Sequence, residues 1–322
     1  MAPGLAFMYS MRAFIFDSLH AVTPLRIPVR QLAWATDLHL VFVRGEALRG
    51  FCESLAQTPA DAIAITGDIS DGRQLEHHLS LVAECVRTPV FLVLGNHDRY
   101  YTTFADTEAQ VRRVTKVHPH IHRLTGCEII ALNEHTALIG VDGWADGQSG
   151  SGPASPIVLN DTVLIDDLAR LPPDKAWRKI AELSRASATA IEPALEAAMS
   201  SFREVILLTH VPPLPEATWH EGKMSAPDFL PHFCNARLGE VIRAAGARHR
   251  DSQLTVLCGH THGEGVYEEN NLRVLTAGAA YGSPRVDRVL PIARRRRWEL
   301  ARRVSVDLNC QSALVRVRGR TQ

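Results

Sequence analysis

Short apolar runs, each halted by glycine, asparagine, aspartate or histidine, recur along the chain and set its architecture. They cover residues 31–36, 62–66, 90–94, 129–132, 137–141, 205–209 and 254–258, and 273–276 adds a further one. Continuous runs of this length predict strands buried on both faces. Helical patterns fall between them at 46–56 and 74–87, so the chain up to residue 94 reads strand–helix–strand–helix–strand. That alternation is the mark of crossover units on a parallel sheet, and the fold class expected is α/β. Runs 129–132 and 137–141, joined through Asn133-Glu134-His135-Thr136, read instead as an antiparallel hairpin. Between 174 and 202, Trp177, Ile180, Ala181, Ile191, Leu195, Ala198 and Phe202 recur at three- and four-residue steps. This predicts an amphipathic helix that Pro193 splits or kinks. The Gly/Ser-rich segment 147–153 reads equally as a flexible rim over a site or as a plain connection.

Composition narrows the setting. The 322 residues are 46% hydrophobic and 22% charged, with a formal net charge of zero, which suits a soluble chain of one large or two small domains. Zero net charge argues against a nucleic-acid coat protein or a general electrostatic footprint on membranes. No stretch reaches the roughly 18 uninterrupted apolar residues of a membrane span, and residues 1–20 lack the charge and cleavage pattern of a signal peptide. The six cysteines are scattered with no C-x-x-C pair, so free thiols in a reducing cytoplasm are expected. The organisation expected is an extension over 1–30, one domain over 31–290 and a basic tail over 291–322. That tail carries Arg294 to Arg297 and the pair Arg302-Arg303. Solvation is its expected state, with an acidic partner or nucleic acid as the alternative.

The chemistry lies where the apolar runs stop. Five segments follow them: Asp37-Leu38-His39, Gly67-Asp68-Ile69-Ser70-Asp71, Gly95-Asn96-His97-Asp98, Thr209-His210-Val211 and Gly259-His260-Thr261-His262. Asp37 and His39 alternate by two, as do His260 and His262, so each pair can turn to one side as its strand runs out. Asp68 follows a glycine that lets the backbone turn sharply, and one carboxylate there can bridge two cations. Asn96 offers an amide oxygen; His210, His260 and His262 offer imidazole nitrogens. Seven donors sharing one bridge make two four-ligand half-sites with room for water and substrate. Mixed imidazole and carboxylate ligation favours two divalent ions of Mn, Fe or Zn, with Mn the first choice in vitro, over Ca or Mg. The absence of cysteine from every motif removes a thiolate zinc site. Each motif alone is weak; their number, order and strand-end placement carry the reading.

In that order, D-x-H, G-D-x-x-D, G-N-H-D, H and G-H-x-H, the chain resembles the calcineurin-like metallophosphoesterases over residues 31–281. The resemblance implies a four-layer α-β-β-α sandwich of two mixed sheets. It implies that Asp37, His39, Asp68 and His262 hold one metal, and that Asp68, Asn96, His210 and His260 hold the other. It further implies hydrolysis of a phosphodiester or phosphomonoester by a hydroxide bridging the metals, with His97 donating a proton to the leaving group and Asp98 orienting His97. Thr36 stands where serine is common in the family, which puts nothing in doubt.

Selection of a small phosphoester substrate is left to the surrounding loops. Tyr100, Tyr101, Asp142, Trp144, Trp219, His220 and Lys223 are candidates to line the cleft, whereas Asp71 caps a turn. His77, His78, His118, His120 and His122 read as surface residues. Two other functions share these motifs. A nuclease would usually bring a DNA-engaging domain, and the residues after Tyr281 are too few and irregular for one. A non-catalytic metal-binding scaffold would typically have lost a ligand or His97, and none is lost.

Overall fold

Alternate residues of each apolar run point to opposite faces of a strand, and both faces find a partner. In the computed structural model, which describes residues 24–292, a five-stranded sheet is ordered β14-β2-β3-β4-β5 and a seven-stranded sheet β1-β6-β7-β8-β11-β13-β12. The strands are β1 (Leu25–Arg26), β2 (Gln31–Ala35), β3 (Ala62–Thr66), β4 (Val90–Val93), β5 (Ile121–Arg123), β6 (Ile130–Ala131) and β7 (Thr136–Gly140). After them come β8 (Glu204–Leu208), β9 (Trp219–His220), β10 (Lys223–Met224), β11 (Gln253–Cys258), β12 (Gly265–Glu269), β13 (Leu272–Thr276) and β14 (Arg288–Pro291). Strands β2, β3, β4 and β5 run parallel, as do β7, β8, β11 and β13. Antiparallel β14 and β12 close the edges, and β9 and β10 form a separate two-stranded hairpin.

One set of alternating residues, Leu32, Trp34, Ala62, Ala64, Phe91 and Val93, meets Leu138, Ile206, Leu208, Leu257 and Leu275 between the two sheets. The opposite set of the first sheet, Ala33, Ala35, Ile63, Ile65 and Leu92, packs under helices α1 (Gly45–Gln57), α2 (Leu75–Cys85) and α3 (Phe104–Val117). Ala137, Ile139, Val205, Leu207 and Val256 of the second sheet lie against later helices. To name these, the chain continues with α4 (Asp161–Leu164), α5 (Asp166–Ala169), α6 (Pro173–Ser201), α7 (Leu230–Phe233) and α8 (Ala236–Arg248); α6 and α8 supply that outer layer. The result is the expected α-β-β-α sandwich, and β3, β4 and β7 are buried at every residue because they are covered from both sides.

Several details differ from the sequence reading. Of the two outcomes expected at Pro193, a split or a kink, the split does not occur: helix α6 is one element of 29 residues with Pro193 inside it. The segment 147–153 is pinned: Asp146 accepts hydrogen bonds from the Gln148 and Ser149 amides and the Ser149 hydroxyl, and Ser151 donates to Asp228 at 2.5 Å. Residues 24–30 contribute β1, paired with β6, and Val29 is buried between the sheets. Of the basic tail only Pro291 and Ile292 fall within the described residues, and the arginine runs lie outside them. His78 is buried, with its Nδ1 2.6 Å from the Ser70 hydroxyl, and His118, His120 and His122 are half-buried; among the five histidines expected at the surface, His77 is exposed. Asp71 does cap a turn, accepting from the Gln74 amide at 3.1 Å.

A buried charge cluster ties the sheets together beside the strand ends. Asp142, just beyond β7, accepts from Arg99 at 2.6 Å and from Arg123 at 2.7 Å, and it also accepts the Leu94 amide beyond β4. It is therefore a structural anion, not a cleft-lining one as the sequence suggested. Burial alone would raise its pKa; the Arg123 and Arg99 guanidiniums outweigh burial and hold it below the ordinary 3.8. Asp142→Ala leaves Arg99 and Arg123 to Glu108 alone, at 3.3 and 3.2 Å, and is expected to cost about 3 kcal/mol in urea unfolding at neutral pH, the low end for a broken buried pair. Because the folded pKa is depressed, this stabilisation is complete above the unfolded carboxylate's range and lost as pH falls through the folded value, so the two unfolding curves converge in acid. A loss below about 1 kcal/mol at neutral pH, the worth of an exposed pair, contradicts this role.

Candidate metal centre

All seven donors lie past the C-terminal ends of parallel strands. Asp37 and His39 follow β2, Asp68 follows β3, Asn96 follows β4, His210 follows β8, and His260 and His262 follow β11. The first three strands belong to one sheet and the last two to the other, so the donors converge where both sheets run out. Left-handed turns aim them, not strand alternation: φ is positive at Asp37 (49°), His39 (43°), Asp68 (52°), His260 (71°) and His262 (58°). Aspartate and histidine enter that region more readily than most residues, but it remains costly without support. Support comes from neighbouring loops, with Asp37 N–H donating to Gly67 O at 3.0 Å, His39 N–H to Asp68 O at 2.9 Å and Gly259 N–H to His210 O at 2.9 Å. Two glycines permit the approach. A Cβ at Gly95 would sit 2.1 Å from Asp68 Oδ1, and one at Gly259 would sit 2.0 Å from Asp37 Oδ2.

The side chains form two groups joined at Asp68. On one side His39 Nε2 lies 3.7 Å from Asp68 Oδ2 and 3.1 Å from His262 Nε2, and His262 Nε2 lies 3.5 Å from Asp37 Oδ1. On the other, His210 Nε2 lies 3.4 Å from Asp68 Oδ1, 3.1 Å from Asn96 Oδ1 and 3.2 Å from His260 Nδ1; Asn96 Oδ1 is also 3.1 Å from His260 Nδ1. Metal bonds of about 2.1 Å place neighbouring donors roughly 3.0–3.4 Å apart; the second group has that spacing throughout, whereas the first is wider at two of its three distances. The outward nitrogens are already used: His210 Nδ1 meets the Thr66 carbonyl at 2.8 Å and His260 Nε2 meets the His232 carbonyl at 2.9 Å. Those bonds leave the inward nitrogens as lone-pair donors once the rings are neutral. These residues fit a two-metal centre, and their chemistry is that of a mixed nitrogen and oxygen donor set.

Charge is unevenly held in this pocket. Burial would raise Asp37 and Asp68, yet the His262 hydrogen bond brings Asp37 down to about 2, and His210 and His97 take Asp68 well below the usual carboxylate range. Burial disfavours charge on His210, but the Asp68 carboxylate overrides it and lifts the ring to about 10. His39 and His260 are pushed down to about 4, chiefly by burial. His210 thus shares the buried negative charge as an imidazolium while His39 and His260 are neutral, and against burial the Asp37 hydrogen bond raises His262.

His97 and Asp98 part ways. His97 keeps its side chain 20% exposed, with Nε2 3.9 Å from Asp68 Oδ2, and its ring lies 4.6 Å from His39 and 4.2 Å from Tyr100. His39, Asp68 and His97 also converge closely enough to be a donor set in their own right. Asp98 does not hydrogen-bond His97 as expected: its oxygens accept the Ser70 and Gly95 amides, both at 2.9 Å. Burial and the Asp68 charge raise it to about 7 against those two amides. Its position pins the Asn96 loop to the Asp68 loop, which is where a fully buried carboxylate finds donors.

The rim residues also divide. Tyr100 stacks on His97 and donates to Asp161 Oδ1 at 2.7 Å. Tyr101 is exposed under the Arg73 guanidinium, and Trp144 is buried edge-on to Phe104. Trp219 is half-buried in the β9–β10 hairpin, His220 Nδ1 meets the Thr261 carbonyl at 2.9 Å, and Lys223 is exposed. Three contributors had no sequence signal. Asp161, in a motif-free stretch before α6, accepts Asn96 Nδ2–H at 2.7 Å and so turns Asn96 Oδ1 inward. The His232 carbonyl holds His260. Exposed Tyr281 packs 4.6 Å from the His39 ring and 5.1 Å from Phe42.

A model of the calcineurin-like phosphoesterase family matches residues 31–264, and the chain belongs to that family. Among solved structures, phosphopantetheinyl hydrolase (PptH) from Mycobacterium tuberculosis superposes with a TM-score of 0.58 at 16% identity, covering 86% of this chain and 99% of that one. TT1561 of Thermus thermophilus gives 0.47 at 17% identity, covering 78% and 89%. A putative 5'-nucleotidase from Staphylococcus aureus gives 0.46 at 10% identity, covering 87% and 58%. Identities this low speak for the fold alone. A comparison with curated proteins finds no match.

Asp161→Ala leaves the Asn96 amide only its longer bond to the Tyr100 hydroxyl, at 3.2 Å, and losses of about 10–100-fold in affinity are usual when a ligand's orienting partner is removed. Calorimetric titration of Mn(II) into stripped protein is expected to show one of two binding steps weakened by that factor. Two unchanged steps would show that Asp161 does not position Asn96.

Proposed function

We propose that the protein is a hydrolase that cleaves phosphodiesters or phosphomonoesters, with Asp37, His39, Asp68 and His262 around one divalent ion and Asp68, Asn96, His210 and His260 around a second. The observation that carries this reading is the division of Asp68, whose two oxygens face different donor groups, 3.7 Å from His39 and 3.4 Å from His210. Two bound cations would acidify a water and neutralise charge on the phosphoryl oxygens. The donor chemistry favours Mn, Fe or Zn, with Mn the first choice in vitro.

The chain's own groups do the rest. Thr66 and His232 carbonyls fix the tautomers of His210 and His260, so both rings present a lone pair inward. Asp98 holds the Gly95–Asn96 turn against Ser70 and keeps the two halves at a fixed separation. His97, with its ring reaching the open side of the pocket, donates a proton from Nε2 to the leaving oxygen. Tyr100, stacked on His97 and anchored to Asp161, sets the orientation of that ring in place of Asp98. Residues 31–290 are the catalytic unit in this reading. The described cysteines are all free, which suits the reducing cytoplasm, and no helix among the described residues is long and apolar enough to cross a membrane.

His97→Ala separates proton donation from metal ligation. Elemental analysis is expected to find its metal content unchanged, with turnover on an alkyl phosphoester down by about 10²–10⁴, the usual worth of general acid catalysis. An aryl ester with a good leaving group should be hurt far less. Full activity on the poor leaving group, or loss of bound metal, would remove His97 from this role.

A further inference from the structure

Beside the second donor group lies a cavity of about 340 Å³ that the reaction as described does not use. Trp144, Trp177, Ile157 and Ile180 supply its apolar walls, and Asp161 and His232 form its boundary with the metal centre. That boundary is direct. Asp161 Oδ1 holds Asn96 Nδ2 at 2.7 Å, and the His232 carbonyl holds His260 Nε2 at 2.9 Å. No donor residue lines the cavity itself; Asp161 and His232 stand between it and the donors, each one hydrogen bond away from a donor.

The lining contains no lysine or arginine, so it offers no permanent positive charge to a further phosphate. Its one carboxylate, Asp161, already accepts from Asn96 and from the Tyr100 hydroxyl. The imidazole of His232 is buried, and its Nε2 makes no hydrogen bond in the structure. A space of this size walled by indoles and branched aliphatics suits an uncharged ring or branched alkyl group, and apolar pockets with one or two polar groups are the usual form of small-molecule sites.

We propose that this cavity is the substrate-group subsite, accepting the uncharged apolar substituent of the phosphoester. The proposal rests on the phosphoesterase reading and deepens it by excluding polyphosphate and nucleic-acid substrates from this pocket. It predicts that bulk on the ester, not additional charge, is rewarded.

Binding can be tested without turnover. Chelator-treated protein is titrated with 2-phenylethanol and, separately, with choline, following tryptophan emission and calorimetric heat. The aryl alcohol is expected to saturate, and choline is expected not to compete with it. Ala176→Met, from the buried lining face of α6, and Val163→Trp, at an exposed rim position, should each weaken the alcohol by about tenfold or more by filling the space. The second variant keeps the test decisive should the first fail to fold. No saturable binding, preference for choline, or unchanged affinity in a variant that melts like the parent would overturn the subsite. In parallel, the Mn-loaded protein is assayed on methyl and phenylethyl phosphate esters of one common leaving group. Phenylethyl should win in kcat/KM; equal rates overturn the subsite alone, whereas no turnover on either diester or on an aryl phosphomonoester assayed beside them strikes at the phosphoesterase reading and leaves the binding result standing.

Discussion

One buried carboxylate organises this molecule. Asp68 stands at the end of the central strand of the first sheet with Oδ2 3.7 Å from His39 and 3.9 Å from His97, and Oδ1 3.4 Å from His210. Leaving a charge in so dry a place is costly unless it is paired. The imidazolium of His210 shares it in the protein alone, and two cations would share it in the loaded form. Everything around Asp68 serves that arrangement. Gly95 has no side chain because any would strike the carboxylate, and the His97 amide donates to it at 2.9 Å.

The sandwich architecture explains how such a site is assembled. Parallel strands deliver their following loops to one edge, and two sheets stacked on a common apolar layer bring two such edges together. The donors then need only short turns to converge. Five of them adopt left-handed backbone to do so, a local cost that the packed sheets and cross-loop hydrogen bonds sustain. Asp142, bridging Arg99 and Arg123 between the sheets, holds the same edges in register from outside the donor set.

Much of this was legible in the chain. Runs such as residues 62–65 are apolar throughout, which only a doubly covered strand requires, and the order of the five polar segments already implied one shared site. What could not be read were contacts made by tertiary proximity alone. Asp161 sits in a stretch without periodicity or motif, so nothing in its neighbours announces that it will hold Asn96. Asp98 and Asp142 look alike in sequence, as acidic residues after strands, yet both turn to structural partners because the fold surrounds them with amides and guanidiniums. His78 reads as polar surface beside His77, but the helix α2 register turns it inward towards Ser70. At Pro193 the sequence left a split or a kink open, and packing of α6 on the second sheet keeps the helix in one piece despite the missing amide.

The central claim is that Asp68 is shared by two ions. Equilibrium dialysis of the chelator-stripped protein against Mn(II), followed by elemental analysis, tests it directly when paired with Asp68→Ala. Two ions per chain are expected in the parent and the loss of both in the variant. A single ion in the parent, or two retained without Asp68, would contradict it.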